Sequence, residues 1–310
     1  MTLRGAFLSF RIQRFETIVI VGATVLSVVV SAIVLGLFNA GGYARCRVDE
    51  SLVNTSLCQG PMATWLERIA RGSLGIVPIF PIVAGLLAGG PVVSRELETG
   101  TARLAWSLGP SRMRWFVQRA APILLLAALA GLAIGITAEA LAGQQYPGVD
   151  LGQSFVAFRG RGVLIAVETV LVAAIALSLG AILGRAIPTL ILSLILVWGL
   201  VLAVDKVDRQ LLTNEAEVST ADLDFTNVFY LDNRFQLADG SLVTYEELVA
   251  IHPEIQQYGF DDSSGIRNAT LYVPGSRYHE VEAREAGILT AVAAAFVALA
   301  AVVVLRRRPR

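Results

Sequence analysis

Lysine is almost missing from this chain. Lys206 is the single one among 25 basic residues, so nearly all positive charge is arginine. The phosphate-binding pattern GxxxxGK[ST] needs a lysine before a serine or threonine, and Lys206 stands between Asp205 and Val207. The chain therefore has no P-loop, and any ATP-driven step would use ATP bound elsewhere. Histidine is nearly as scarce. His252 and His279 lie outside the long apolar runs, and neither HExxH nor Gly-x-Ser-x-Gly occurs. A membrane-embedded metallo- or serine hydrolase is excluded, and no catalytic residue or metal site is expected. Charge is low overall, at 16% of residues against 55% hydrophobic, with a mean hydropathy of +0.64. An ordinary soluble domain is excluded, and no nucleic-acid partner is expected. The apolar runs hold two carboxylates, Glu139 and Glu168, too few for a proton-driven secondary transporter. No internal repeat is evident.

What the chain has is long hydrophobic runs. Stretches of about 20 residues suffice to cross a hydrocarbon core roughly 30 Å thick. They recur at 17–38, 72–93, 120–143, 162–184, 188–204 and 286–305. The expected fold class is an all-α polytopic membrane protein with six transmembrane helices. The first run is long and lacks a small-residue cleavage site, so it reads as a span and not as a removable signal peptide. In the second run Pro78 and Pro81 are expected to kink the helix and free carbonyls. Gly85 and Gly89 make a small-xxx-small face. Ordinary packing of membrane helices accounts for both features, and their coincidence on one helix favours a helix facing a dimer partner or a pathway. Glu139 lies near the end of its run and can snorkel. Glu168 lies deeper and is the candidate for lining a vestibule, or for pairing with Arg159 or Arg161.

Charge sets the expected sidedness. Residues 1–16 place Arg4, Arg11 and Arg14 among Leu3, Phe7, Leu8 and Phe10, which reads as a cytoplasmic interfacial helix. The segment between runs two and three, the turn at Arg185 and the tail 306–310 are rich in arginine. The acids on that side are Glu16, Glu96 and Glu98, whereas the other side is net acidic. The basic bias of short cytoplasmic loops then predicts N-in/C-in. Cys46 and Cys58, the chain's two cysteines, fall outside together, and a disulfide closing so short a loop stabilises by about 3 kcal/mol. Residues 205–285 form the one sizeable polar part, a small α+β extracellular insert between spans five and six. It is expected to hold a hairpin at 234–243 around Ala238-Asp239-Gly240, a capping box from Thr244 to Glu247, and a strand at 270–273. The division is thus 1–16, spans one to five in 17–204, the insert 205–285, and span six with its basic tail in 286–310.

Residues 92–114, VVSRELETGTARLAWSLGPSRMR, are bracketed by two spans. Ser94 is expected to cap a short helix, with Glu96 and Glu98 near its positive end and Arg103 toward its negative one. Gly100 interrupts that helix. A charged short helix held between two spans is a lever, since a force on it moves both.

Residues 91–106, PVVSRELETGTARLAW, resemble the R-E-x-E-x-G-T-x-R-L-A-W signature of actinobacterial ABC-2-type transporter permeases. Residues 111–115, SRMRW, are similar to the S-R-x-R-W that follows it there. Residues 180–188, GAILGRAIP, look like that family's turn between spans four and five. Residues 271–278, LYVPGSRY, followed by Glu282, Glu285 and Gly287, resemble its segment leading into span six. The likeness covers most of the chain and is weakest at 39–71 and 205–268. It implies a half-transporter in the bacterial plasma membrane that pairs with a second permease subunit and a separate ATPase subunit. ATP and magnesium would be held by that ATPase, with no cofactor in this chain. The resemblance further implies a coupling helix near 92–108 seated on the ATPase, with Ser94, Arg95, Glu96, Glu98, Thr101 and Arg103 contacting or positioning it. Arg185 would be a second cytoplasmic contact, and spans two and five would line the pathway. The activity it implies is export of a hydrophobic or amphipathic compound (drug, antibiotic, peptide or lipid), as in multidrug efflux. The competing reading is a membrane sensor whose extracellular insert binds a ligand and signals through the same loop.

Overall fold

Six stretches of the chain combine the length and hydropathy needed to cross a membrane, and all six are helical. The computed structural model describes residues 13–43, 46, 55–108, 111–221, 223, 227–253 and 265–307. The helices are α1 (Arg14–Ala40), α2 (Pro61–Ile76), α3 (Ile79–Glu98), α4 (Thr101–Leu108), α5 (Arg112–Gln145), α6 (Val163–Leu183), α7 (Ala186–Asn214), α8 (Tyr245–Ile251) and α9 (Tyr278–Arg306). The candidate spans are α1, α3, α5, α6, α7 and α9. The interfacial helix expected at 1–16 lies almost wholly outside the described residues. The chain separates into two compact units, one made of residues 1–148, 157–200 and 282–310, the other of 149–156 and 201–281.

In the first unit the helical ladder of the second apolar run is interrupted at Val77 and Pro78, which both keep right-handed helical angles. α2 ends at Ile76, Pro78 takes the position before α3, and Pro81 falls in the first turn of α3. A first-turn proline removes an N–H that has no intrahelical acceptor, so both prolines define a helix start. The interior prolines are instead Pro91 in α3 and Pro122 in α5. Gly85 and Gly89 do not wait for a second copy. A Cβ on Gly89 would stand 2.0 Å from the Ala173 carbonyl oxygen, and one on Gly85 would stand 2.6 Å from Val172 Cβ. α3 therefore packs backbone to backbone on α6. Gly131 and Gly135 do the same for α5, with a Gly135 Cβ meeting the Gly162 carbonyl oxygen at 1.9 Å. Apart from Glu168, α6 is apolar nearly all round, and most of its residues from Leu164 to Ala181 are buried, as expected of a helix largely enclosed by others. The main core joins Ala84, Val92, Val93, Trp115, Phe116, Ile123, Ala173, Leu177 and Val304. A second cluster of Val34, Phe38, Leu66, Ala70 and Leu141 seats α1 and α2 on α5. Cys46 and Cys58 are joined in a disulfide with 5.5 Å between their Cα atoms. α1 and α7 leave most of their apolar surface open, Ile18, Leu26, Ile187, Ile195 and Trp198 included.

The second unit holds a four-stranded antiparallel sheet in the order β1-β4-β2-β3, made of β1 (Glu217–Ser219), β2 (Val228–Gln236), β3 (Leu242–Val243) and β4 (Arg267–Pro274). β4 alternates strictly, with Ala269, Leu271 and Val273 turned inward. β2 and β3 form the hairpin, Phe235 opposite Val243 and Gln236 opposite Leu242. The ladder between β2 and β4 shifts register between Tyr230 and Asp232. Thr244 and Glu247 close the capping box on α8. The Thr244 N–H and hydroxyl, both donating to the Glu247 carboxylate, hold that carboxyl below the usual carboxylate range.

Candidate functional site

The residues singled out between spans two and three converge at one end of the first unit, in an arrangement different from the expected one. α3 does not stop where the hydrophobic run ends; it continues through Ser94, Arg95, Glu96 and Leu97 to Glu98. Ser94 is fully buried, and its hydroxyl donates to the Gly90 carbonyl at 2.6 Å. It caps nothing. Glu96 and Glu98 sit in the last turn of a long helix and not in the first turn of a short one. There the helix dipole opposes negative charge, so each carboxylate needs a partner, and each has one. Glu96 Oε1 pairs with Arg119 Nε of α5 at 2.9 Å, with both side chains nearly buried. Glu98 Oε2 accepts the N–H of Ala186 at 3.0 Å. Ala186 is the first residue of α7, so the carboxylate sits at a helix N-terminus where backbone donors and dipole favour it.

Arg95 Nη1 reaches back to Glu16 Oε1 of α1 at 2.6 Å, and Glu16 is 3% exposed. Three residues within one turn of α3 thus tie it to α1, α5 and α7. Gly100, at φ +74°, turns the chain through the left-handed region. The Thr101 hydroxyl donates to the Glu96 carbonyl at 3.3 Å, fastening the start of α4 to the end of α3.

α4 has two faces. Ala102 is buried, and Trp106 meets Trp115 edge-on with ring centroids 5.6 Å apart. Arg112 stacks its guanidinium 4.9 Å from the Trp106 ring centre. The opposite face is open, with Leu104 63% exposed and Thr101 and Ser107 in solvent reach. Arg103 lies on α4, and its side chain is outside the described part. Arg185 is exposed in the turn before α7.

The basic tail, read above only as a sign of sidedness, has structural work at this end. Arg112 Nη1 donates to the carbonyls of Leu305 at 3.2 Å and Arg307 at 2.6 Å, capping α9. Arg307 Nη1 donates to the Ala181 carbonyl at 2.5 Å, capping α6. Cationic donors on the last carbonyls of a helix satisfy groups that have no intrahelical partner. The start of α1 and the end of α9 therefore meet at the α4 end of this unit.

A second set of charges gathers around the start of α6. Arg159 Nε pairs with Glu285 Oε1 of α9 at 2.6 Å, and the fully buried Arg161 pairs with Glu139 of α5 at 3.4 Å. The partner expected for these arginines was Glu168. It is half-buried and interacts electrostatically with both Arg159 and Glu285. α9, distant in sequence, brings the Glu285 carboxylate against Arg159 as well. Among the described residues no group of His, Cys, Asp and Glu is arranged to hold a metal ion.

With this geometry in place, the comparison with known families is decisive. The family model described as ABC-2 membrane transporter related matches residues 17–209. The chain belongs to that family. An ABC-2-type transport component of this kind is a multi-pass membrane protein that associates with an ATPase subunit. The matched stretch runs from α1 into α7 and includes α3, α4, Arg119 and Ala186 but neither Glu16 nor Arg307; it stops before β1. No curated protein matches the chain, and no solved structure does.

Proposed function

We propose that this chain is the permease half of an ATP-driven exporter in a bacterial plasma membrane. A separate ATPase subunit presses on α4 from the cytoplasm, and the permease dimer moves a hydrophobic or amphipathic compound outward. The observation that supports this reading best is the build of α4. It is a short helix anchored on one side by Ala102 and Trp106, open on the other at Leu104, and fastened to a helix whose last turn binds α1, α5 and α7. A push on such a helix reaches four spans at once. Arg95, Glu96 and Glu98 then transmit force within the permease, and Thr101, Leu104 and Ser107 are the groups that meet the ATPase. Two features support the sidedness. Arginine is concentrated at the α4 end, and the Cys46–Cys58 disulfide, beyond the far end of α1, suits an oxidising exterior.

The test is a Glu98→Arg substitution in the chain reconstituted with the ATPase encoded beside it. Glu98 is exposed, so the variant inserts, but an arginine at the N-terminus of α7 repels where the carboxylate attracted. Basal ATP hydrolysis should persist while its stimulation by transported compounds falls at least tenfold. Full stimulation in this variant would refute the relay from α3 to α7.

A further inference from the structure

Arg114 is the third residue of α5, and its side chain is exposed at the α4 end. Its backbone N–H is taken by the Ser111 hydroxyl, which caps the helix. Among the described residues its guanidinium has no ion pair. It opens onto a cleft of about 520 Å³ lined by Ser111, Met113, Arg114, Val117 and Gln118. That lining is amphipathic, with two polar side chains, one cation and two apolar side chains, Met113 and Val117.

The same face of α5 continues as bare hydrocarbon. At 100° per residue, Arg114, Gln118, Leu125, Leu129, Leu132 and Ile136 fall within a sector of roughly 60°. The last four are 60%, 56%, 38% and 57% exposed. From Arg114 to Ile136 the helix rises about 33 Å, close to one hydrocarbon thickness. Arg114 therefore stands where the headgroups of a bilayer begin, at the head of a stripe that only acyl chains or another transmembrane surface can cover.

We propose that this cleft is a binding site for an anionic phospholipid, with its phosphate on Arg114 and its acyl chains over Val117 and along the exposed stripe of α5. Charge complementarity selects the headgroup, because the cleft offers a cation and no carboxylate among its lining residues. Continuity with the apolar stripe selects a lipid over a soluble protein, which could fill the cleft but not the hydrocarbon level beneath it. The site is independent of the ATPase reading given above.

The test uses the full chain in phosphatidylcholine vesicles that contain phosphatidylglycerol with brominated acyl chains. Quenching of tryptophan fluorescence is compared with that by an equal fraction of brominated phosphatidylcholine, in a chain carrying Trp65→Phe and Trp198→Phe, because those two exposed rings report on the lipid surface elsewhere, and Val117→Trp, which puts the reporter in the cleft. A single arginine at the surface favours the anionic lipid by about fivefold, and that preference should weaken with salt. It should vanish in Arg114→Gln and persist in Arg185→Gln, which removes an exposed arginine elsewhere. An unchanged preference in Arg114→Gln would show generic attraction to a basic surface and overturn the site. Absence of any preference in the reporter chain with Arg114 intact would also overturn it, leaving the stripe to a second copy.

Discussion

At the scale of single residues, the three carboxylates Glu16, Glu96 and Glu98 hold the α4 end together. Each binds one cation or helix N-terminus within the fold. Glu96 and Arg119 form the most buried of these pairs, so truncating one strands the other charge in a dry place. Glu96→Ala and Arg119→Ala should each cost on the order of 3 kcal/mol, and the double variant much less than the sum. Denaturation of the purified variants in detergent checks this, and simple additivity would contradict the pairing. The sequence alone singled out Glu96 and Glu98, as residues that contact or position an ATPase, and was silent on their partners within the fold, which lie far away in the chain. Ala186, which Glu98 holds, is 88 positions distant. No local pattern encodes that meeting. Nor did any signal in residues 306–310 foretell that Arg307 caps α6; the run looked like bulk positive charge.

At the scale of elements, the close approach of α3 to α6 depends on the absence of two methyl groups. Gly89→Ala would drive its Cβ into the Ala173 carbonyl. A clash of backbone against backbone cannot be relieved by a rotamer change, so the helices must separate, at about 1–3 kcal/mol. Gly75→Ala on α2, where nothing lies within 4 Å, should be neutral or slightly stabilising. Thermal unfolding of both variants tells them apart, and an equal effect would sink the packing argument. The small-residue spacing of Gly85 and Gly89 was legible, but its destination was not, since α3 meets a helix of its own chain. Helix ends were legible only where a breaker marks them. Hydropathy reports where hydrocarbon contact stops, whereas backbone hydrogen bonding continues into water. α5 accordingly begins at Arg112 and α7 runs on to Asn214. The β2–β3 hairpin and the Thr244 cap, each a local device of turn residues and capping side chains, were readable outright.

At the scale of the whole molecule, six spans and a family of ABC-2 transport components follow from hydropathy and from the match over residues 17–209. The proposal made from the build of α4 is that its open face meets the ATPase, with the charged residues of α3 behind it. A photoreactive amino acid placed at Leu104 in living cells is the most direct test of that claim. Irradiation should yield one crosslinked product containing this chain and a subunit with P-loop peptides, while the same group placed at Ile195, on the exposed hydrocarbon face of α7, should yield none. A Leu104 product that contains no ATP-binding subunit, or an ATPase captured equally from Ile195, would contradict the account.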